Sequence, residues 1–185
     1  MKITLPKNFT SRLARMEDLP EIHRLEQTVS VHYLGVPGMS LERLTNEYQS
    51  PGFDPEQSVL FIEDQEGSLV ALIEVWDESD IPVNPYIWMT VDPDCKDQDL
   101  EDYLLDWAEE RSRQVFERVD PELKVAMRVH INSAFESSQE ALQRAGFEEI
   151  RHGFRMRIEM EQMPLAQTWP EGIQLKPYDP EIDAR

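Results

Sequence analysis

The sequence predicts a mixed α/β domain, a mostly antiparallel sheet flanked by helices in the order β-α-α-β-β-β-α-β-α-β. Three observations carry this. Some apolar runs are short and rich in β-branched and aromatic residues, as at Ser58–Glu63, Ser68–Trp76 and Tyr86–Val91. Others recur at helical spacing, as do Leu100, Leu104, Trp107, Ala108 and Val115. Three of the strand-like runs are consecutive and precede the longest helix, which a purely parallel sheet of strand–helix–strand units does not allow.

Each element has a local reason. Ser11–Arg15 reads as a short first strand, and Asp18-Leu19-Pro20-Glu21 as a helix start with a cap, a first-turn proline and an acid that can bond back. Ile22, Leu25 and Val29 continue that helix at the right period. A second helix is capped by Ser40, shows Leu41, Leu44 and Tyr48 on one face, and is stopped by Pro51, Gly52 and Pro55. Asp64-Gln65-Glu66-Gly67 joins the next two strands as a hairpin. After Pro93 the long helix begins near Leu100; Lys124–Ile131 is a strand, and Ser137–Ala145 a helix ended by Gly146. Phe147–Met160 reads as a last strand pair broken at Gly153. Trp76, Trp88 and Trp107 fall at core positions.

Composition bounds the function. A chain of 185 residues, 40% hydrophobic, is long enough for one real core. With 37 acidic against 18 basic residues the formal net charge is −19, so nucleic acid is repelled. That field suits a cationic small molecule such as a polyamine; the plainer reading is that it keeps the chain in solution. No apolar run approaches membrane length, and the start MKITLPKNFT has no signal-peptide pattern, so a cytosolic location is expected. The single Cys95 excludes an internal disulfide or a multi-cysteine metal site, and the four histidines show no ligand spacing.

The tail echoes the beginning. Gly172-Ile173-Gln174-Leu175-Lys176-Pro177-Tyr178-Asp179-Pro180-Glu181-Ile182 repeats the strand, cap and helix start of Ser11–Ile22 with two residues fewer in the turn. The expected organisation is a domain at 1–162, a linker at 163–172, and the start of a second copy at 173–185. The alternative is a C-terminal strand and turn that pack on the first domain.

This order of elements, with Val91-Asp92-Pro93 ahead of a long helix, resembles the GNAT superfamily of acetyl-CoA-dependent N-acetyltransferases. Three segments carry the resemblance over about residues 10–160: TSRLARMEDLPEIHRLE, YIWMTVDPDCKDQDLEDYLLDWAEER and EALQRAGFEEIRHGFRMRIEM, the last with the Gly146-Phe147 that usually follows the family's last helix. The resemblance implies acetyl-CoA as cofactor and a small amine as substrate. Main chain at Met89, Thr90 and Val91 is then the expected contact for the pantetheine arm. Family members usually follow the strand with a basic residue and small residues whose bare amides, at a helix start, cradle the pyrophosphate. Here the corresponding loop is Lys96, Asp97, Gln98, Asp99, Leu100 and Glu101, with Lys96 in the basic position and acids at Asp97, Asp99 and Glu101. Six carboxylates and one Lys lie between Asp92 and Asp102. One carboxylate about 4 Å from a phosphate charge costs roughly 4 kcal/mol at a surface-like dielectric. A micromolar affinity is only about 8 kcal/mol, so a few such pairs erase it. Asp99 and Asp102 also stand where they can bond the helix-start N–H groups themselves. Ordinary CoA binding by this copy is therefore expected to be impaired.

Glu74, among Ile73, Val75 and Trp76, is the candidate general base, with a carboxyl raised by burial; a solvent-facing strand residue is its bland alternative. His130, at a strand end near where the family binds substrate, is a second candidate, more simply read as hydrogen-bonded structure. The family's usual leaving-group Tyr, four residues before Gly146, is replaced by Leu142, and acidic neighbours argue against a nucleophilic Cys95. Two readings follow: an acetyl-CoA-dependent transferase acting on a small amine, or a degenerate, non-catalytic copy that supports an active partner domain. A ligand-binding module that keeps the cleft without the cofactor is a third.

Overall fold

A computed structural model describes residues 3–95, 99–154, 156, 158–160, 162–163 and 169–179. The chain divides into two compact units, Met1–Glu148 and Glu149–Arg185.

The first unit is built on one five-stranded sheet in the order β1-β2-β3-β4-β5. Its strands are β1 (Thr10–Leu13), β2 (Val59–Glu63), β3 (Leu69–Trp76), β4 (Tyr86–Val91) and β5 (Arg128–Val129). The first four pair antiparallel, and β5 alone is parallel to its neighbour. Helices α1 (Leu19–Leu34), α2 (Leu41–Tyr48), the single turn α3 (Pro55–Ser58), α4 (Leu100–Ser112) and α5 (Glu136–Arg144) complete it. The mixed, mostly antiparallel sheet is the one the three consecutive strands predict.

Both faces of the sheet are buried, which is why β2 and β3 read as near-continuous apolar runs. Ala14, Leu19, Ile22, Leu25, Leu44 and Tyr48 pack with Val59, Phe61 and Leu72 on one face. Leu60, Ile62, Ile73, Val75 and Ile87 pack with Leu100, Leu104, Ala108 and Ala141 on the other.

Several local expectations are corrected. Asp18 does not cap α1 with its side chain; its carboxylate takes both terminal nitrogens of Arg12 and the backbone N–H of Arg15. Ser40 does cap α2, accepting from the Arg43 N–H at 3.3 Å. Pro55 starts a helical turn, capped by Asp54, rather than only stopping α2. The strand expected over Lys124–Ile131 contracts to two residues. Gly146 takes the left-handed conformation, φ 87°, that ends α5. Trp88 is not a core residue: it is 48% exposed.

In the second unit the described residues of the expected closing strand form no sheet, and Phe154, Met156, Ile158 and Met160 are exposed. An alternating pattern gives a strand only where a neighbour supplies hydrogen bonds. Of the echoing tail, Pro180, Glu181 and Ile182 lie outside the described residues. Among the described residues no helix is long and apolar enough to cross a membrane.

Candidate functional site

Strand β4 presents two different edges. Along one it pairs with β3 throughout, from Ala71↔Val91 to Trp76↔Tyr86. Along the other it pairs with β5 only at Tyr86↔Arg128 and Ile87↔Val129. Parallel strands that stop pairing leave main-chain groups of the longer strand without a sheet partner on that side. Met89, Thr90 and Val91 lie in that stretch, so the edge can accept an extended, amide-containing ligand. Residues facing each other across an antiparallel pair share a face. Trp88 and Thr90, opposite Glu74 and Leu72, therefore point to the α1–α2 side, and Met89, opposite Ile73, points to the α4 side.

The start of α4 lies just beyond that edge. Lys96, Asp97 and Gln98 lie outside the described residues. Asp99 is described, in the left-handed conformation at φ 56°, and makes no side-chain cap to the helix. It is thus Glu101, and not Asp99, that turns back on the helix start. Its carboxylate accepts from its own backbone N–H and from Ser137 Oγ at 2.7 Å, and the residue is 3% exposed. Burial pushes the Glu101 carboxyl up, against the lowering effect of those two hydrogen bonds. Asp102 is taken by the Arg144 guanidinium at 2.9 Å, not by the helix amides. Leu100 is fully buried in the α4-side core. Cys95 sits half-buried beside this turn, its thiol pushed up by burial and then by Asp92, Asp94 and Asp64.

A pyrophosphate needs free amides and space at a helix start. The first turn of α4 offers a buried carboxylate that already holds one amide. Among the described residues of that turn, the Glu101 side chain occupies its own amide and leaves it unavailable to such a group.

Glu74 is buried rather than solvent-facing, on the α1–α2 side of β3. Tyr48 O–H donates to its Oε1 at 2.6 Å, and Trp76 Nε1–H to its Oε2 at 2.7 Å. Burial raises the Glu74 carboxyl, while those donors lower it. Phe53 stacks on Trp76 with ring centroids 3.7 Å apart, closing the cluster. Two further acids converge from the helices: Glu26 on α1 is pushed up to about 8 by burial and by the charges of Glu74 and Glu47. Sequence spacing gives no sign of this convergence, because the three glutamates come from separate elements.

His130 follows β5 and is exposed; its backbone N–H donates to the Tyr86 hydroxyl. Leu142, on α5, is buried in the α4-side core and supplies no phenol. Tyr103, on α4, shares a 3.0 Å hydrogen bond with Ser11 of β1. Among the described residues no group of three or more His, Cys, Asp or Glu could hold a metal ion.

No protein-family model and no curated protein sequence matches the chain. Solved structures do. A GCN5-related N-acetyltransferase from Sphaerobacter thermophilus superposes with a TM-score of 0.80 at 24% identity, over 97% of this chain and 56% of that one. The chain thus spans a little over half the length of that protein. A GNAT-family acetyltransferase from Streptococcus pneumoniae gives 0.58 at 12% identity, over 75% of this chain and 83% of that one. Spermidine N-acetyltransferase from Vibrio cholerae, in complex with CoA and spermine, gives 0.57 at 18% identity, over 80% and 85%. Together with the sheet order and the parallel β4–β5 joint, these likenesses show that the chain has the fold of the GNAT N-acetyltransferases.

Proposed function

We propose that this chain is a degenerate acyltransferase domain, part of a protein that moves an acetyl group from acetyl-CoA to a small amine. In this copy the edge of β4 is retained and the pyrophosphate cradle is lost. The observation that carries the reading is Glu101, a buried carboxylate bonded to its own helix-start amide and to Ser137. On this reading the carboxylate takes the part that a phosphate plays at such a helix start. Glu74 supports the same reading, since both of its oxygens already accept protein hydrogen bonds and it is buried. A base so engaged does not reach an incoming amine. The domain then supports or shapes an active partner in a cytosolic enzyme. The acidic field and the CoA and spermine held by the Vibrio cholerae structure favour a cationic amine as the substrate class.

Calorimetric titration of acetyl-CoA into this chain tests the proposal. No heat in the low micromolar range is the expected result. A dissociation constant there, with the cofactor seated at the start of α4, overturns it.

A further inference from the structure

A groove of about 260 Å³ lies within the first unit, between β1, α3 and α4. Leu13 of β1, Glu56 and Gln57 of α3, and Trp107, Glu110 and Arg111 of α4 line it. It is smaller than the roughly 300–1,000 Å³ of sites that enclose a whole small-molecule ligand, and it suits one long side chain. Its charge is one-sided. Arg111, the cation of the lining, is turned onto Asp77 at 2.9 Å and onto Ser58 and the Gln57 carbonyl, so its charge is already matched. Among the described residues neither Glu56 nor Glu110 has an ion pair. Two such carboxylates, with the Leu13 side chain and the Trp107 ring, match a lysine or arginine. Its stem packs on apolar surface while its head meets the charges and the ring face.

Strand β1 ends the sheet on the side opposite β5. The Ala14 N–H donates to the Val59 carbonyl at 3.0 Å. By the alternation of antiparallel ladders, the main-chain groups of Ser11 and Leu13 therefore point away from β2. The Leu13 carbonyl accepts from Arg12 Nη1 at 3.2 Å. The Leu13 side chain, opposite Leu60, faces α4 and the groove. A strand added at this edge pairs with β1 through its main chain and turns every second side chain toward the groove. A second identical copy is disfavoured as its source, because each carries a formal charge of −19; the same charge draws a basic segment. We propose that the β1 edge and this groove bind an extended, basic peptide segment, with a lysine or arginine seated against Trp107, Glu56 and Glu110. The inference does not rest on the acyltransferase reading, and its readouts are separate from CoA binding.

Fluorescence anisotropy of this chain with a short labelled peptide of alternating lysine and valine tests the proposal. That peptide should bind, and one of alternating glutamate and valine should not. Glu56→Gln combined with Glu110→Gln should weaken binding about tenfold at low salt. Glu42→Gln combined with Glu66→Gln removes the same charge from α2 and from the β2–β3 turn, and should leave binding unchanged. Leu13→Pro removes an outward N–H without touching the ladder to β2, and should also weaken binding; its thermal midpoint checks that β1 still forms. No binding of the lysine peptide overturns the proposal. So does equal weakening by the two glutamine pairs, which would mean attraction by net charge alone. Undiminished binding by a folded Leu13→Pro variant overturns it as well, as does displacement of the peptide by an equal concentration of lysine amide, the mark of a small-cation site without strand pairing.

Discussion

Ser137 at the head of α5 donates its hydroxyl to Glu101 Oε1 at 2.7 Å, tying the first turn of α4 to the first turn of α5. The bond joins the two helix starts and gives a buried carboxylate a second partner beside its own backbone N–H. Replacing the acids of this region should therefore change binding more than fold.

The combined variant Asp97→Gly, Asp99→Gly and Glu101→Gly should gain affinity for CoA by about tenfold or more, equivalent to roughly 1.4 kcal/mol. Calorimetry reads the gain directly. Affinity that stays absent in a folded triple variant would show that the carboxylates are not what excludes the phosphates.

Asp99 alone gives a second test. Its φ of 56° suits glycine and strains a β-branched side chain. Asp99→Gly should be neutral or slightly stabilising, whereas Asp99→Val should cost about 1–2 kcal/mol in urea denaturation. Equal midpoints for the two variants would contradict the left-handed conformation.

The acids behind the sheet set a pH dependence. Glu26 is raised to about 8, so between an unfolded value near 4.5 and that figure the folded state binds more protons than the unfolded one. Stability should fall as pH rises through this window. Glu26→Gln should then be the more stable protein at pH 8.5, by about 2 kcal/mol, and should match the parent near pH 4. A difference that does not change with pH would show that Glu26 is not the titrating group.

Asp77, buried at the end of β3, is held by Arg111 at 2.9 Å and by Arg118. Arg111 also donates to the Gln57 carbonyl and to Ser58 Oγ, so one side chain joins α4 to α3 and β3. Arg111→Leu should cost about 3 kcal/mol, since it leaves a buried carboxylate with one partner fewer. Asp77→Asn in the same background should recover part of the loss; a double variant no better than the single one would deny the coupling.

Much of the fold was legible in the sequence because it is written locally. Ser40 caps its helix through its own side chain, Gly146 ends α5 with a conformation other residues avoid, and Asp64-Gln65-Glu66-Gly67 turns a hairpin within four residues. The site was legible only in part. The acids before α4 were visible as composition, yet which of them turns back on the helix start depends on Ser137, 36 residues away. Glu74 could be named from its apolar neighbours, but its donors Tyr48 and Trp76 are fixed by packing. Trp88 shows the opposite failure: its position in an apolar run suggests burial, and the helices simply do not cover it. Arg111 carried no local signal at all, because its three partners lie between 34 and 54 residues back along the chain.

The way β5 joins the sheet has a kinetic corollary. Strands β2, β3 and β4 are neighbours in sequence as well as in space, so this meander can zip up while α4 is still leaving the ribosome. The fifth strand must wait for a helical crossover and is then held at only two register positions. With so few pairings it is the strand expected to open most readily. Opening there would lengthen the unpaired edge of β4 and leave its pairing with β3 untouched, so a guest alongside Met89 to Val91 and local opening of the sheet would share one door.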